Sequence, residues 1–329
     1  MRNNFNLIRF LLAVMVLFSH SFPLAGEQSS TLERLLFGRW NMALGTVAVH
    51  VFFVISGYLI TQSYVRADRF MVFAWHRALR LVPALAAALV FSNGLFRYFD
   101  GYSGNPLPAS NGSLWTLSWE VTCYLACGIV GYLGLLDRRN FNLLFAAIWL
   151  VYFSNISHTG IYYTKIEPMF MFFLMGSFIS INERQIDINR AAAFSALALG
   201  AAFAPPINSY ILDLLRALPS PMGGTISDVR IHSITYILSA PFAVIYLAKY
   251  APTIKWTERD MSYGIYIYAW PVQEATFKFA STHGFQLTPW ELFASSLPNT
   301  LLLAYISCRI IEEPALRLKN VLFTHKVGS

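Results

Sequence analysis

The chain has 329 residues, of which 56% are hydrophobic, 16% aromatic and only 12% charged, with a mean hydropathy of +0.50. A soluble domain carries about 25% charged residues, so the composition excludes that class and predicts a polytopic membrane protein. The formal charge of +7 has no soluble basic domain to occupy, which excludes nucleic acid as a partner.

Apolar runs of membrane-crossing length predict an all-α transmembrane helix bundle of about ten spans. They fall at residues 5–22, 43–62, 78–97, 117–136, 141–156, 167–182, 191–206, 231–249, 262–281 and 292–311. An even number of spans puts both termini on one side. Sixteen Lys and Arg residues then lie on that side and seven on the other, so the positive-inside rule makes both termini cytoplasmic. No repeat of fixed period, low-complexity tract or long linker divides the chain, and residues 1–329 are expected to form a single membrane domain. The longest outward loops are Tyr98 to Trp115 and Pro205 to Arg230, where a large acceptor could be framed. Cys123, Cys127 and Cys308 lack CxxC spacing and read as small apolar residues, so no metal site is expected.

The first span carries the most informative pair. His20 stands eleven residues after Arg9, which on a helix is about 20° past three full turns and roughly 16 Å of rise. Both ionisable side chains therefore share one face. Such groups are expensive in hydrocarbon and mark a polar interior where something binds or reacts. The competing reading is a cleaved signal peptide ending near Pro23 to Gly26, which would discard the pair.

In the second span His50 is a candidate for the same cavity, with a packing histidine as the alternative. The third span opens with Arg77 and Arg80, three apart and so neighbours on one helical face. Two guanidinium groups so placed can clamp phosphate oxygens, although an ordinary positive-inside anchor has the same pattern. The fourth span begins Trp115-Thr116-Leu117-Ser118-Trp119-Glu120 and runs inward, which places Glu120 at about the depth of His20. A carboxylate and an imidazole at one level suit general base catalysis. An interfacial glutamate facing water is the alternative. Ser56, Tyr58, Trp115, Ser118 and Tyr124 join His50 as candidate lining of a substrate cavity. The later spans near 191–206, 231–249 and 292–308 contain almost no ionisable residue and read as scaffold.

These residues resemble the acyltransferase 3 family. Arg9 and His20 fit its R-x10-H signature, Phe52 to Tyr58 its second-helix motif, Arg77 to Arg80 its RxxR, and Trp115 to Glu120 its W-[ST]-L-x-x-E segment. Ser262 to Tyr268 and Glu312-Glu313-Pro314 resemble two further stretches. One departure stands out: many relatives place a histidine where this chain has Ala269, so no catalytic role carries over there. The resemblance is to stand-alone members, without an appended extracellular hydrolase-like domain.

The resemblance implies a multi-pass enzyme of the bacterial inner membrane that takes an acyl group, usually acetyl from acetyl-CoA, from the cytoplasm to an outer hydroxyl. Arg77 and Arg80 would hold the nucleotide phosphates and Arg9 a polar part of the donor. His20 would act as base with Glu120 orienting it, or would carry the acyl group covalently. The acceptor implied is a cell-surface or exported glycan, free or lipid-linked, with peptidoglycan or a small secondary metabolite as alternatives. Membrane lipid surrounds the bundle, and a homo-oligomer stays open, because lipid-facing and partner-facing surfaces have the same composition. A secondary transporter would show inverted halves with interrupted helices, and none are visible in the sequence. A structural role in glycan export gives Arg9 and His20 no reason to share a face.

Overall fold

A computed structural model of the chain describes residues 3–27, 29–31, 42–67, 69–100, 111–154, 167–203, 228–256 and 259–320. Both predicted outward loops lie mostly outside these residues. The described residues are all-helical. The helices are α1 (Phe5–Leu24), α2 (Leu44–Ala67), α3 (Phe70–Asp100), α4 (Trp115–Tyr132), α5 (Arg138–Ser154), α6 (Glu167–Asn182), α7 (Ile188–Phe203), α8 (Asp228–Ile245), α9 (Ser262–Thr282), α10 (Pro289–Ser307) and α11 (Glu313–Arg317). A helix occupies each of the ten predicted span positions. Three stretches, Phe5–Leu24, Leu44–Ala67 and Phe70–Phe99, are long and apolar enough to cross a membrane.

Three boundaries differ from the hydropathy reading for local reasons. Helix α3 starts eight residues earlier than its predicted span, because Phe70 to Trp75 are apolar and nothing before Arg77 breaks a helix. Arg77 and Arg80 consequently lie within the helix, about two and three turns from its start. Helices α8 and α10 both run on through a single π-helical turn, Tyr246–Tyr250 and Cys308–Glu312. Such wide turns insert into an α-helix and frequently mark functional positions. At the other end of α10, Thr288 and Glu291 form a reciprocal capping box with Pro289 in the first turn, which fixes where that helix begins.

The chain divides into two compact units. The first comprises Met1–Asn4, His50–Phe70 and Thr122–Thr253. Its core holds Ile55, Tyr58, Phe172, Met175, Ile179, Ile237 and Ile245, all fully buried. Here α2 and α6 cross at contact distance through small residues: a Cβ on Gly57 would collide with the Phe173 carbonyl, and one on Gly176 with the Val54 carbonyl. Ser177 donates its hydroxyl to the carbonyls of Gly57 at 3.3 Å and Phe173 at 3.1 Å. Apolar surface gains little by leaving lipid for protein, so such close backbone approach is a main source of helix association in a bilayer. The Asn142 and Asn182 amides exchange hydrogen bonds at 3.0 and 2.8 Å, joining α5 to α6.

The second unit comprises Phe5–Val49, Met71–Val121 and Ile254–Ser329, and α9 is its hub. The buried Gln273 amide donates to the Leu17 carbonyl at 2.9 Å and the Ser21 hydroxyl at 2.6 Å on α1. The Tyr263 hydroxyl donates to the Leu81 carbonyl on α3 at 3.0 Å. Gly264 lies against Ala304 of α10, where an added Cβ would meet the Ala304 Cα at 3.0 Å. The Tyr266 hydroxyl reaches the Ser113 carbonyl at 2.9 Å and the Thr116 hydroxyl at the start of α4. A hydrogen bond between buried partners holds helices in register because leaving either partner unpaired is costly.

Candidate active site

All the residues assigned to chemistry by the sequence, Arg9, His20, Arg77, Arg80 and Glu120, belong to the second unit. Arg9 and His20 lie on α1, as the eleven-residue spacing predicts. The structure brings Arg9 and Arg80 together, and the residue that joins them is one that the sequence reading missed. Arg9 Nη1 and Arg80 Nη2 both donate to Oδ2 of Asp260, the latter at 2.6 Å. Asp260 stands two residues before the first residue of α9, and its other oxygen accepts from the Ser262 backbone N–H at 3.1 Å and from the Ser262 hydroxyl. Its side chain is only 15% exposed. Burial by itself would push this carboxyl up; the Arg9 and Arg80 guanidinium groups and the Ser262 donors hold it at about 2.

Adjacent carboxylates complete the arrangement. Glu312, 2% exposed, faces Arg80 Nη1 at 3.5 Å. Glu313 accepts from Arg259 at 3.0 Å and from Arg309 at 3.2 Å. The Glu-Glu-Pro stretch thus binds Arg80, Arg259 and Arg309. The sequence signal that could have found Asp260 is its position as an acid two residues before Ser262, where a side chain can accept from a helix's first N–H groups.

Arg77 lies three residues before Arg80 on α3, with its Nε buried. Lys319, which the sequence reading counted among the basic residues of the cytoplasmic side, is a second group it did not assign to the site. Burial lowers its ammonium below the ordinary value, and the neighbouring Arg77 and Arg80 charges lower it further. The Trp75 indole donates to the Leu318 carbonyl at 3.3 Å and fastens the turn after α11 to α3. This part of the unit therefore concentrates positive charge that an anion could neutralise.

The His20 ring is half-buried, its Nδ1 has no hydrogen-bond partner among the described residues, and it packs edge-on against Trp270, with ring centroids 5.1 Å apart. The Trp270 indole donates to Glu274 at 3.1 Å. Gly112 lies beneath it, where a Cβ would stand 2.8 Å from the ring. Asn111 next to it donates to the Ile267 carbonyl at 3.0 Å. An aromatic ring, and not a carboxylate on Nδ1, is what contacts the imidazole. The Glu120 carboxylate is an electrostatic neighbour of Tyr263 and Tyr266 on α9.

The remaining candidates divide between the units. Trp115 is exposed, and Ser118 donates its hydroxyl back to the Trp115 carbonyl at 2.8 Å. His50, Ser56, Tyr58 and Tyr124 belong to the first unit. His50 is buried against Phe172, stacked at 4.7 Å, and Tyr236 at 5.8 Å. The Tyr58 hydroxyl donates to Glu183 at 2.9 Å and accepts from Lys249 at 2.7 Å, while Lys249 and Tyr250 also bind Glu183. Burial pushes the Glu183 carboxyl up, but these three partners hold it below the ordinary carboxylate value. Tyr124 is buried and Ser56 half-buried. Among the described residues no group of three or more His, Cys, Asp or Glu is placed to hold a metal ion.

An arginine and a histidine eleven residues apart on one helix are the arrangement of the R-x10-H signature. The family's acyltransferase domain matches residues 2–309. The chain belongs to the acyltransferase 3 family. This acyltransferase is 27% identical to an O-acetyl transferase of Shigella phage Sf6, over 94% of its own length and 95% of the relative's. It is 24% identical to Nodulation protein 10 of Rhizobium leguminosarum bv. viciae, over 99% and 96%. No solved structure matches it. With helices of membrane-crossing length and this family membership, the acyltransferase is a membrane protein.

Proposed function

We propose that the protein is an O-acetyltransferase of the bacterial inner membrane, a multi-pass bundle with both termini cytoplasmic. It moves an acetyl group from cytoplasmic acetyl-CoA to a hydroxyl of a cell-surface or exported glycan. The observation that carries this reading is the placement of His20 and Arg9 on one helix, with Arg9 joined to Arg80 through Asp260. The O-acetyl transferase of phage Sf6 supports acetyl as the group transferred.

Arg77, Arg80 and Lys319 bind donor phosphates, because guanidinium groups match phosphate geometry and the ammonium adds a point charge. Arg9, which shares the Asp260 oxygen with Arg80, holds a polar part of the donor beside them, within its phosphate-bearing portion. The rise from Arg9 to His20, roughly 16 Å, is a distance that a pantetheine arm spans. His20 Nε2 takes the proton of the acceptor hydroxyl as its oxygen attacks the thioester carbonyl. The C–S bond breaks, and the departing thiolate takes that proton back from the imidazolium. Trp270 fixes the ring plane.

The test compares O-acetyl content and mass of surface polysaccharide from cells with the intact gene, a deletion, and a deletion complemented by His20→Ala. Loss of acetyl ester in the last two is the expected result. Full acetylation by His20→Ala protein would overturn the assignment of the base. Unchanged glycan in every fraction after deletion would overturn the glycan acceptor.

A further inference from the structure

Two cations that lie close together in a poorly solvated bundle repel, and each would lower its energy by swinging toward water. Arg9 and Arg80 do not separate, because one carboxylate oxygen accepts from both. That carboxylate is not free to follow either of them. Its second oxygen is tied to the backbone and side chain of Ser262 at the first turn of α9. The preceding residue, Arg259, is tied to Glu313 at 3.0 Å. Arg80 has a second acid, Glu312 at 3.5 Å, so removing Asp260 still leaves Arg80 an acidic partner. Arg9 has no such second acid among its ion pairs in the described residues.

We propose that Asp260 is a positioning residue for donor binding, an internal counter-anion that holds the Arg9 and Arg80 guanidinium groups side by side to receive the anionic part of acyl-CoA. This inference rests on the donor-binding role given to the two arginines above. The carboxylate makes no contact with the reacting atoms. It acts by keeping Arg9 turned inward and by fixing the spacing of two forks before the donor arrives, so that less ordering is left for binding. A carboxylate that merely occupied the donor's place would act oppositely: its neutralisation would strengthen binding, because the cluster would gain positive charge.

The experiment measures equilibrium binding of acetyl-CoA and of acetyl-pantetheine, which lacks the nucleotide phosphates, to the purified full-length protein in detergent. In Asp260→Asn, affinity for acetyl-CoA is expected to fall about tenfold, the worth of one charge-assisted hydrogen bond. Affinity for acetyl-pantetheine is expected to stay within about twofold, and Asp260→Glu to recover part of the loss. Unchanged or tighter acetyl-CoA binding in Asp260→Asn would overturn the proposal, as would an equal loss for both ligands. Should Asp260→Asn fail to fold, Ser262→Ala retains the charge and removes its hydroxyl anchor. It is expected to show the same selective loss at about two- to fivefold, and equal binding to wild type would again overturn the proposal. Failure of wild-type protein to bind acetyl-CoA better than acetyl-pantetheine would instead overturn the donor reading itself.

Discussion

Trp270 stands with its indole edge-on to His20, ring centroids 5.1 Å apart and planes at 81°. The pair follows from α1 and α9 being locked by the Gln273 amide, which fixes the two rings at one level. Because His20 Nδ1 has no hydrogen-bond partner among the described residues, ring packing does the orienting that a carboxylate does in many base catalysts. Trp270→Ala is expected to lower the acetylation rate by about a hundredfold, the cost of a base displaced by about 1 Å. Trp270→Phe should retain most activity. Gly112→Ala drives a methyl group into the same indole and should follow Trp270→Ala in direction. Rates in membranes matched for protein level check this ordering, and an inactive Trp270→Phe beside an active Trp270→Ala would refute it.

The acid network has a defined pH signature. Asp260 is held at about 2, below its ordinary value of 3.8, because Arg9, Arg80 and Ser262 outweigh the effect of burial. A depressed carboxyl contributes stability that is fully present above the unfolded value and is lost as pH falls through the folded one. The contribution, about 2 kcal/mol, is therefore constant from pH 5 to 8. Thermal melting in detergent should show Asp260→Asn lowered by the same interval across that range. The gap should narrow only below a pH of about 4.

Gly57 and Gly176 permit the crossing of α2 and α6. An alanine at either position places a methyl group onto a main-chain carbonyl of the facing helix, which cannot move as a flexible side chain does. Each substitution is expected to destabilise by about 1–3 kcal/mol, with reduced yield of folded protein from membranes. Gly200, which has open space around it, is the control: Gly200→Ala should be neutral or slightly stabilising.

The Glu183 cluster gives a fourth expectation. Lys249→Met removes the cation and leaves a carboxylate, 18% exposed, that keeps the Tyr58 and Tyr250 hydroxyls as its partners among the described residues. That loss should cost about 1–3 kcal/mol. Glu183→Gln combined with Lys249→Met should cost less than Lys249→Met alone, since the uncompensated charge is then absent. A double-mutant cycle read by thermal melting measures the coupling.

Much of this protein was legible without coordinates. Hydropathy placed a helix at each predicted span, because a chain surrounded by hydrocarbon must satisfy its backbone internally and announces each crossing by its composition. The spacing of Arg9 and His20 placed both on one helix, since helical geometry is local. The R-x10-H, RxxR and W-[ST]-L-x-x-E motifs pointed to the family, which the match over residues 2–309 shows. Asp260, Trp270 and Lys319 were not legible, because what distinguishes them is the company they keep. Arg9 and Asp260 are 251 residues apart, and Arg80 and Glu312 are 232 apart. No local period couples such positions. Likewise the Tyr263, Gly264 and Tyr266 motif reads in sequence only as a pattern, whereas in the fold each residue has its own partner on α3, α10 and the start of α4. The sequence by itself determined the helices and their chemistry-bearing residues, because periodicity and hydropathy are properties of neighbours along the chain. Only the tertiary structure decided which guanidinium meets which carboxylate and which ring faces the imidazole, because those choices are made by side chains packing across helices.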